Sequence, residues 1–135
     1  MSKSIIIKKP GGPEALELQD VNVGSPAPDE IKVTNYAIGL NYIDTYHRSG
    51  LYPLPMPSGI GLEAAGKIDE IGSNVKEFNK GDNVAYASMP IGAYSQQRII
   101  PAKIAVKVPN WISHKVAASI MTKGLTTNYL ICKTY

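Results

Sequence analysis

Between Ala37 and Gly66 the chain reads A-I-G-L-N-Y-I-D-T-Y-H-R-S-G-L-Y, crosses a loop dense in proline, and resumes as P-S-G-I-G-L-E-A-A-G. The first block carries a strand into a short helix. Ile31, Val33 and Ala37 are apolar at odd spacing with Lys32 and Thr34 between them, which predicts a strand over Ile31–Leu40. Asn41 comes next, and its side-chain oxygen can accept an orphan amide of a helix running to about Arg48. Gly50 stops that helix, because the left-handed conformation at a helix end suits glycine best. Leu51–Gly61 holds too much Pro and Gly for regular structure, and Ala64–Ile71 is the next strand, closed by the Gly72-Ser73-Asn74 turn. Gly59-Ile60-Gly61-Leu62-Glu63-Ala64 has the letters of a G-x-G-x-x-[GA] phosphate loop without its setting. Such a loop follows a strand and opens a helix, whereas this one follows a proline loop and opens a strand. It reads as a tight turn, where glycine permits backbone conformations barred to other residues.

Outward from this segment the β pattern continues. Ser4–Lys8 and Leu16–Val21 read as strands around Gly11-Gly12-Pro13, and Val23–Glu30 as a loop. Val84–Ala87 is a strand after Gly81-Asp82, and Ala93–Pro101 and Ile104–Val108 extend the pattern. From Ser113, a candidate cap, the period changes: Val116, Ala117, Ile120 and Met121 recur at helical spacing. A second helix is expected from near Thr126, still holding at Tyr135. Residues 1–112 thus form one domain, and 113–135 are helices leading away from it. The helix meets no stop signal, so the chain is expected to be part of a longer one. No internal repeat or low-complexity segment interrupts it.

Composition narrows the class. A chain of 135 residues has room for one domain with a real core. Hydrophobic residues at 44% and charged residues at 19% are ordinary for a globular protein, and 12 Gly with 10 Pro favour a β-rich domain over a helix bundle. The single cysteine, Cys132, rules out an internal disulfide, agrees with a reducing cytoplasm, and is expected as a small buried hydrophobe. No apolar run approaches the ~20 residues of a membrane span, and the N-terminal M-S-K-S-I-I-I-K-K is too short for a signal peptide. All 11 acidic residues precede Asn83, while Arg98, Lys103, Lys107, Lys115, Lys123 and Lys133 stand alone after it. Spaced singly, these bases read as solvated charges and not as a nucleic-acid patch. His47 and His114 have no metal-ligand spacing around them and are expected as surface or helix residues.

The N-Y-I-D of Asn41–Asp44, the G-L-E-A-A-G of Gly61–Gly66 and the G-L-T-T-N-Y of Gly124–Tyr129 together resemble the medium-chain dehydrogenase/reductase family. The likeness is greatest to its NADPH-dependent, zeta-crystallin-like quinone oxidoreductases, and it covers essentially the whole chain. It implies a mainly β fold with short helices: a GroES-like, partly open β-barrel whose last helices lead into a Rossmann cofactor domain absent from this chain. In the family's zinc alcohol dehydrogenases a Cys opens a C-x-[ST]-D helix and a His follows the Gly of G-H-E-x-x-G, both holding zinc. The matching residues are Asn41 and Leu62, and an amide with an alkyl chain cannot make a thiolate–imidazole site. No metal is expected. Glu63, beside the metal in those enzymes, is expected to be structural, pairing with a backbone amide or an Arg.

The resemblance further implies hydride transfer from NADPH to a quinone or another conjugated carbonyl. Asn41, Tyr42, Ile43, Asp44, Thr45 and Tyr46 are expected beside the nicotinamide and the substrate opening, with Thr126 and Tyr129 also on the cofactor. Asn41, Tyr46 and Tyr52 are the residues expected to act on substrate, Asn41 because its amide both donates and accepts. In the plainer alternative Asn41 is only a helix cap and the tyrosines only packing. Two other functions stay open: an enone or enoyl-thioester reductase on the same scaffold, and a free-standing GroES-like interaction module. A cytoplasmic homodimer without nucleic-acid or membrane partners is expected. The chain by itself is expected to be inactive, because most cofactor contacts would lie in the missing domain.

Overall fold

The computed structural model describes residues 1–134 and builds them into eight strands, arranged as two linked sheets, and two α-helices. The strands are β1 Ser2–Ile7, β2 Glu17–Val21, β3 Glu30–Gly39, β4 Ser58–Gly59, β5 Glu63–Ile71, β6 Asn83–Ala87, β7 Gln97–Pro101 and β8 Val106–Lys107. The helices are α1 Tyr42–Ser49 and α2 His114–Tyr129. One sheet has the order β2-β1-β4 and the other β7-β3-β5-β6-β8, all pairs antiparallel. Ile5 N donates to Tyr94 O at 2.8 Å and Gln96 N to Lys3 O at 2.8 Å, so the segment before β7 stitches the small sheet to the large one. The sheets do not close into a full ring, which is the partly open barrel expected from the resemblance.

The core is built by strand alternation. Ile31, Val33, Ala64, Ile68, Val84, Tyr86 and Ile100 fill the barrel interior. The residues between them on the central strands, Ala65 and Ala85, face the opposite way and meet Ala117 and Ala118 of α2. Alanine on both partners lets the helix lie close on the sheet. This is why Glu63–Gly66 of β5 is buried on both faces. Gly66 is needed for a separate reason: a Cβ there would stand 2.8 Å from the Thr34 carbonyl carbon and 2.9 Å from Asn35 Cα, where the β3–β5 register shifts.

Several expectations need correction. Ala93–Gln96 does not extend β7. Gly92 has φ +126°, and the amides of Gly92, Ala93 and Tyr94 turn to the carbonyls of Gly61 and Ile60. Ile104 ends a 3-10 turn and only Val106–Lys107 pairs. Ser58–Gly59, read as loop, forms a two-residue strand against Ile6 and Ile7. The expected helix break near Thr126 does not occur. Gly124 costs about 1 kcal/mol inside a helix but does not end one, and the chain winds on through a π turn at Leu130–Thr134. The expectation that helix persists at Tyr135 lies outside the described residues. Val116 and Ile120 face outward, both 49% exposed, because Ala117 and Ala118 take the sheet contact. Cys132 is exposed, carried off the barrel by α2, and is not a buried hydrophobe. No helix among the described residues is long and apolar enough to cross a membrane.

Candidate functional site

β3 ends at Gly39, where the lack of a side chain makes room for a carboxylate. A Cβ there would lie 2.6 Å from Glu63 Cδ, so glycine admits the Glu63 side chain between β3 and α2. Glu63 is fully buried at the start of β5. Its Oε1 accepts from the Thr122 backbone N–H at 2.8 Å, and its Oε2 accepts from Asn41 Nδ2 at 2.7 Å. One carboxylate therefore joins β5, the middle of α2 and the residue that opens α1. The expectation of a structural Glu63 bound to a backbone amide describes this geometry, with Asn41 and Lys123 where an Arg was named as the alternative.

The same bonds fix the Asn41 amide. With Nδ2 committed to Glu63, Oδ1 turns outward and accepts from Lys123 Nζ at 3.2 Å. The Lys123 ammonium stands 3.9 Å from Glu63 Oε2 and its side chain is 60% exposed. Asn41 occupies the N-cap position, and its side chain approaches the first-turn backbone in capping-box fashion but makes no cap hydrogen bond. The expected cap thus keeps its position without its bond: the Lys123 ammonium, and not the turn amide, donates to Asn41 Oδ1. The reciprocal half of the box is present, Asn41 N–H donating to Asp44 Oδ2 at 3.0 Å.

Asp44 belongs to the scaffold of the site. It is buried, and the same Oδ2 also accepts from the Tyr94 hydroxyl at 2.8 Å. Burial first, and then the neighbouring carboxylate, hold the Tyr94 hydroxyl well above the usual tyrosine range. A carboxylate so engaged does not face outward, which corrects the expectation that Asp44 lines the opening. His47, expected as a surface or helix residue, is in α1, and it is buried. It lies on the inner side of the helix, with its ring 6.0 Å from that of Tyr52.

The outer side of α1 is aromatic. Tyr42 and Tyr46 meet edge to face at 5.3 Å, and Tyr46 and Tyr52 lie 5.3 Å apart, with Tyr52 N–H donating to Tyr46 O. Thr45 Oγ1 donates to Tyr42 O, and Ile43 is half-buried beside it. On α2, Thr126 lies one turn beyond Thr122 and its hydroxyl donates to the Thr122 carbonyl at 2.8 Å, while Tyr129 is exposed. Direct contacts thus join Asn41, Glu63, Thr122 and Lys123, and separately Tyr42, Tyr46 and Tyr52. Thr126 reaches the first group through its bond to the Thr122 carbonyl, and Tyr129 shares its helix. Thr122 and Tyr94 went unnoticed in the sequence, and Lys123 read only as a solvated charge. The one available signal for Lys123 was a base next to G-L-T in a segment without acids.

The donor set does not fit a zinc ion. Asn41 presents an amide already bound to Glu63, Leu62 presents an alkyl chain, and among the described residues no three of His, Cys, Asp or Glu converge. It does fit the neutral amide ring of a nicotinamide on an anionic dinucleotide. Asn41 Oδ1, the Thr126 hydroxyl, the Tyr42 and Tyr129 rings and the Lys123 ammonium are reachable, while both nearby carboxylates are buried.

Comparison with known proteins agrees with these features. Residues 27–110 match the alcohol dehydrogenase GroES-like domain. The chain is 50% identical to the quinone oxidoreductase of Pseudomonas aeruginosa over its full length, spanning 42% of that protein, and 40% identical to the 2-haloacrylate reductase of a Burkholderia species, again 42% of its length. The structure of Escherichia coli quinone oxidoreductase complexed with NADPH superimposes with a TM-score of 0.96 at 49% identity, covering 98% of this chain and 41% of that one.

Proposed function

The chain belongs to the medium-chain dehydrogenase/reductase family through its alcohol dehydrogenase GroES-like domain, and we propose that it supplies the substrate side of an NADPH-dependent quinone reductase. The observation that carries this reading is the Asn41 amide, held by buried Glu63 at the position of a zinc-ligating cysteine, with its oxygen turned outward. NADPH, when bound, supplies the hydride. Asn41 Oδ1 can accept from the nicotinamide carboxamide and fix the plane of the ring. Tyr46 and Tyr52 offer ring faces and hydroxyls to a flat, conjugated substrate. Glu63 and Asp44, being buried and paired, keep negative charge away from a substrate that itself becomes negative.

With hydrogen-bond donors in place of a metal ligand set, the site suits substrates that already accept hydride readily, quinones above simple ketones. The 40% identity to a 2-haloacrylate reductase keeps conjugated alkenes as the second reading. A homodimer working in the cytoplasm belongs to the same proposal. The test is NADPH oxidation by the protein expressed from its complete gene, offered benzoquinone, cyclohexenone, 2-chloroacrylate and cyclohexanone in turn. Quinone-dependent oxidation, faster than with the other three, is expected. Preference for the acrylate selects the second reading, and turnover of cyclohexanone as fast as benzoquinone overturns both.

A further inference from the structure

We propose that Lys123 donates the hydrogen bond that receives the negative charge developing on the substrate oxygen, a role that rests on the reductase reading above. Lys123 comes from the middle of α2, and two groups hold its ammonium over the start of α1. Asn41 Oδ1 accepts from it at 3.2 Å, and the fully buried Glu63 carboxylate attracts it from 3.9 Å. Glu63 lies too deep to meet water, so Lys123 is the cation that answers its charge at the surface. An ammonium has three N–H groups, and Asn41 takes one of them. With 60% of the side chain exposed, a further N–H faces outward, where the ammonium also borders a groove of about 360 Å³ lined by Ile38, Gly39, Leu40, Lys115 and Ser119.

The chemistry needs such a group. In reduction of a conjugated carbonyl, a C–H bond of the reduced nicotinamide breaks and its hydrogen, with the electron pair, bonds to the substrate's conjugated system. The substrate is reduced and the nicotinamide oxidised. The displaced electron pair comes to rest on the carbonyl oxygen, and a proton from water completes the product. Asn41 spends one of its two amide N–H bonds on Glu63 and is neutral, so it is the weaker donor to that oxygen. Lys123 is the stronger. A donor aimed at a developing oxyanion acts on the transition state more than on the ground state.

The test uses the protein expressed from its complete gene, saturated with NADP⁺, and two probes measured by calorimetry: 4-nitrophenolate, which mimics the oxyanion, and 4-nitroanisole, which has the same shape without charge. Lys123→Met is expected to weaken phenolate binding by at least about 10-fold while leaving nitroanisole within about 2-fold, since only the charge-assisted bond is lost. Lys123→Arg should restore most of the phenolate affinity. In turnover of benzoquinone, kcat of Lys123→Met should fall about 100-fold with KM little changed, the loss typical of one oxyanion donor. If Lys123→Met melts early, Lys123→Gln replaces it under the same criteria. Phenolate bound equally by parent and variant, or not bound by the parent, overturns the Lys123 role. A parent that reduces no conjugated carbonyl, yet loses phenolate affinity on Lys123→Met, overturns the reductase reading and leaves Lys123 as an oxyanion-binding group.

Discussion

Replacing Tyr94 by Phe removes one hydroxyl and nothing else from the support of the site. The ring keeps its place over Gly61, whose φ of +90° and missing side chain make room for it; a Cβ there would stand 2.6 Å from Tyr94 Cε1. What is lost is the 2.8 Å bond to Asp44 Oδ2, one of the two donors on that buried carboxylate. A hydrogen bond to a charged group contributes about 1.5–3 kcal/mol, and the Asp44 carboxylate that accepts it is buried. The expected loss is therefore about 2 kcal/mol, or a fall in Tm of about 5–10 °C for a chain of this size. Denaturant unfolding of Tyr94→Phe, Asp44→Asn and the double variant measures it, and the pair should couple by at least about 1 kcal/mol. The pH dependence gives a second readout. The folded chain holds the Tyr94 proton more tightly than the unfolded chain, whose tyrosine titrates near pH ~10, so its contribution is present below that pH and declines as pH rises above it. Parent and Tyr94→Phe should accordingly converge in stability above pH ~10, where the parent alone releases that proton on unfolding. A loss under about 0.5 kcal/mol with strictly additive variants refutes the claim that this bond anchors the start of α1.

Asn41→Asp sets a carboxylate against Glu63 Oε2, where the amide now donates at 2.7 Å. It should destabilise the chain by about 3 kcal/mol and abolish quinone turnover; a variant with parental melting and parental rate shows that Asn41 has neither role. Gly66→Ala drives a methyl into the Thr34–Asn35 backbone, which cannot yield without breaking the β3–β5 ladder. A loss of about 3 kcal/mol in urea unfolding is expected, and less than about 1 kcal/mol means that the ladder does yield. The outer side of α2 and the turn after it expose Val116, Ile120, Leu125, Tyr129, Leu130 and Ile131. Covering such a face is worth about 25 cal/mol per Å², so the 135-residue chain should self-associate in sedimentation and Leu125→Glu with Ile131→Glu should hold it monomeric.

The strand, helix start and turn between Ala37 and Gly66 were legible because each depends on neighbours along the chain. Alternation around Ile31 and Val33 gives β3, the N-Y-I-D spacing gives the reciprocal bond from Asp44 back to Asn41, and Gly50 takes φ +85° to end α1. Periodicity was half right for α2: Ala117 and Met121 pack toward Ala65 and Ala85, whereas Val116 and Ile120 face outward and Ala118 takes the contact beside them. Ala93–Gln96 has strand composition, but the Ala93 and Tyr94 amides find the carbonyls of Gly61 and Ile60, and the Gln96 amide that of Lys3.

What the sequence by itself determined is the set of elements and the chemical types placed at the mouth of α1: amide, tyrosines, a buried acid. Which way those groups point was decided only by the tertiary structure. Asn41 could cap, donate outward or accept, and every option was open until β5 brought Glu63 to its amide and α2, 82 positions along the chain, brought Lys123 to its oxygen. Hydrogen-bond direction depends on which partner stands within about 3.2 Å, and that partner comes from remote segments. A residue's type travels with the sequence; its orientation is set by what the fold places against it.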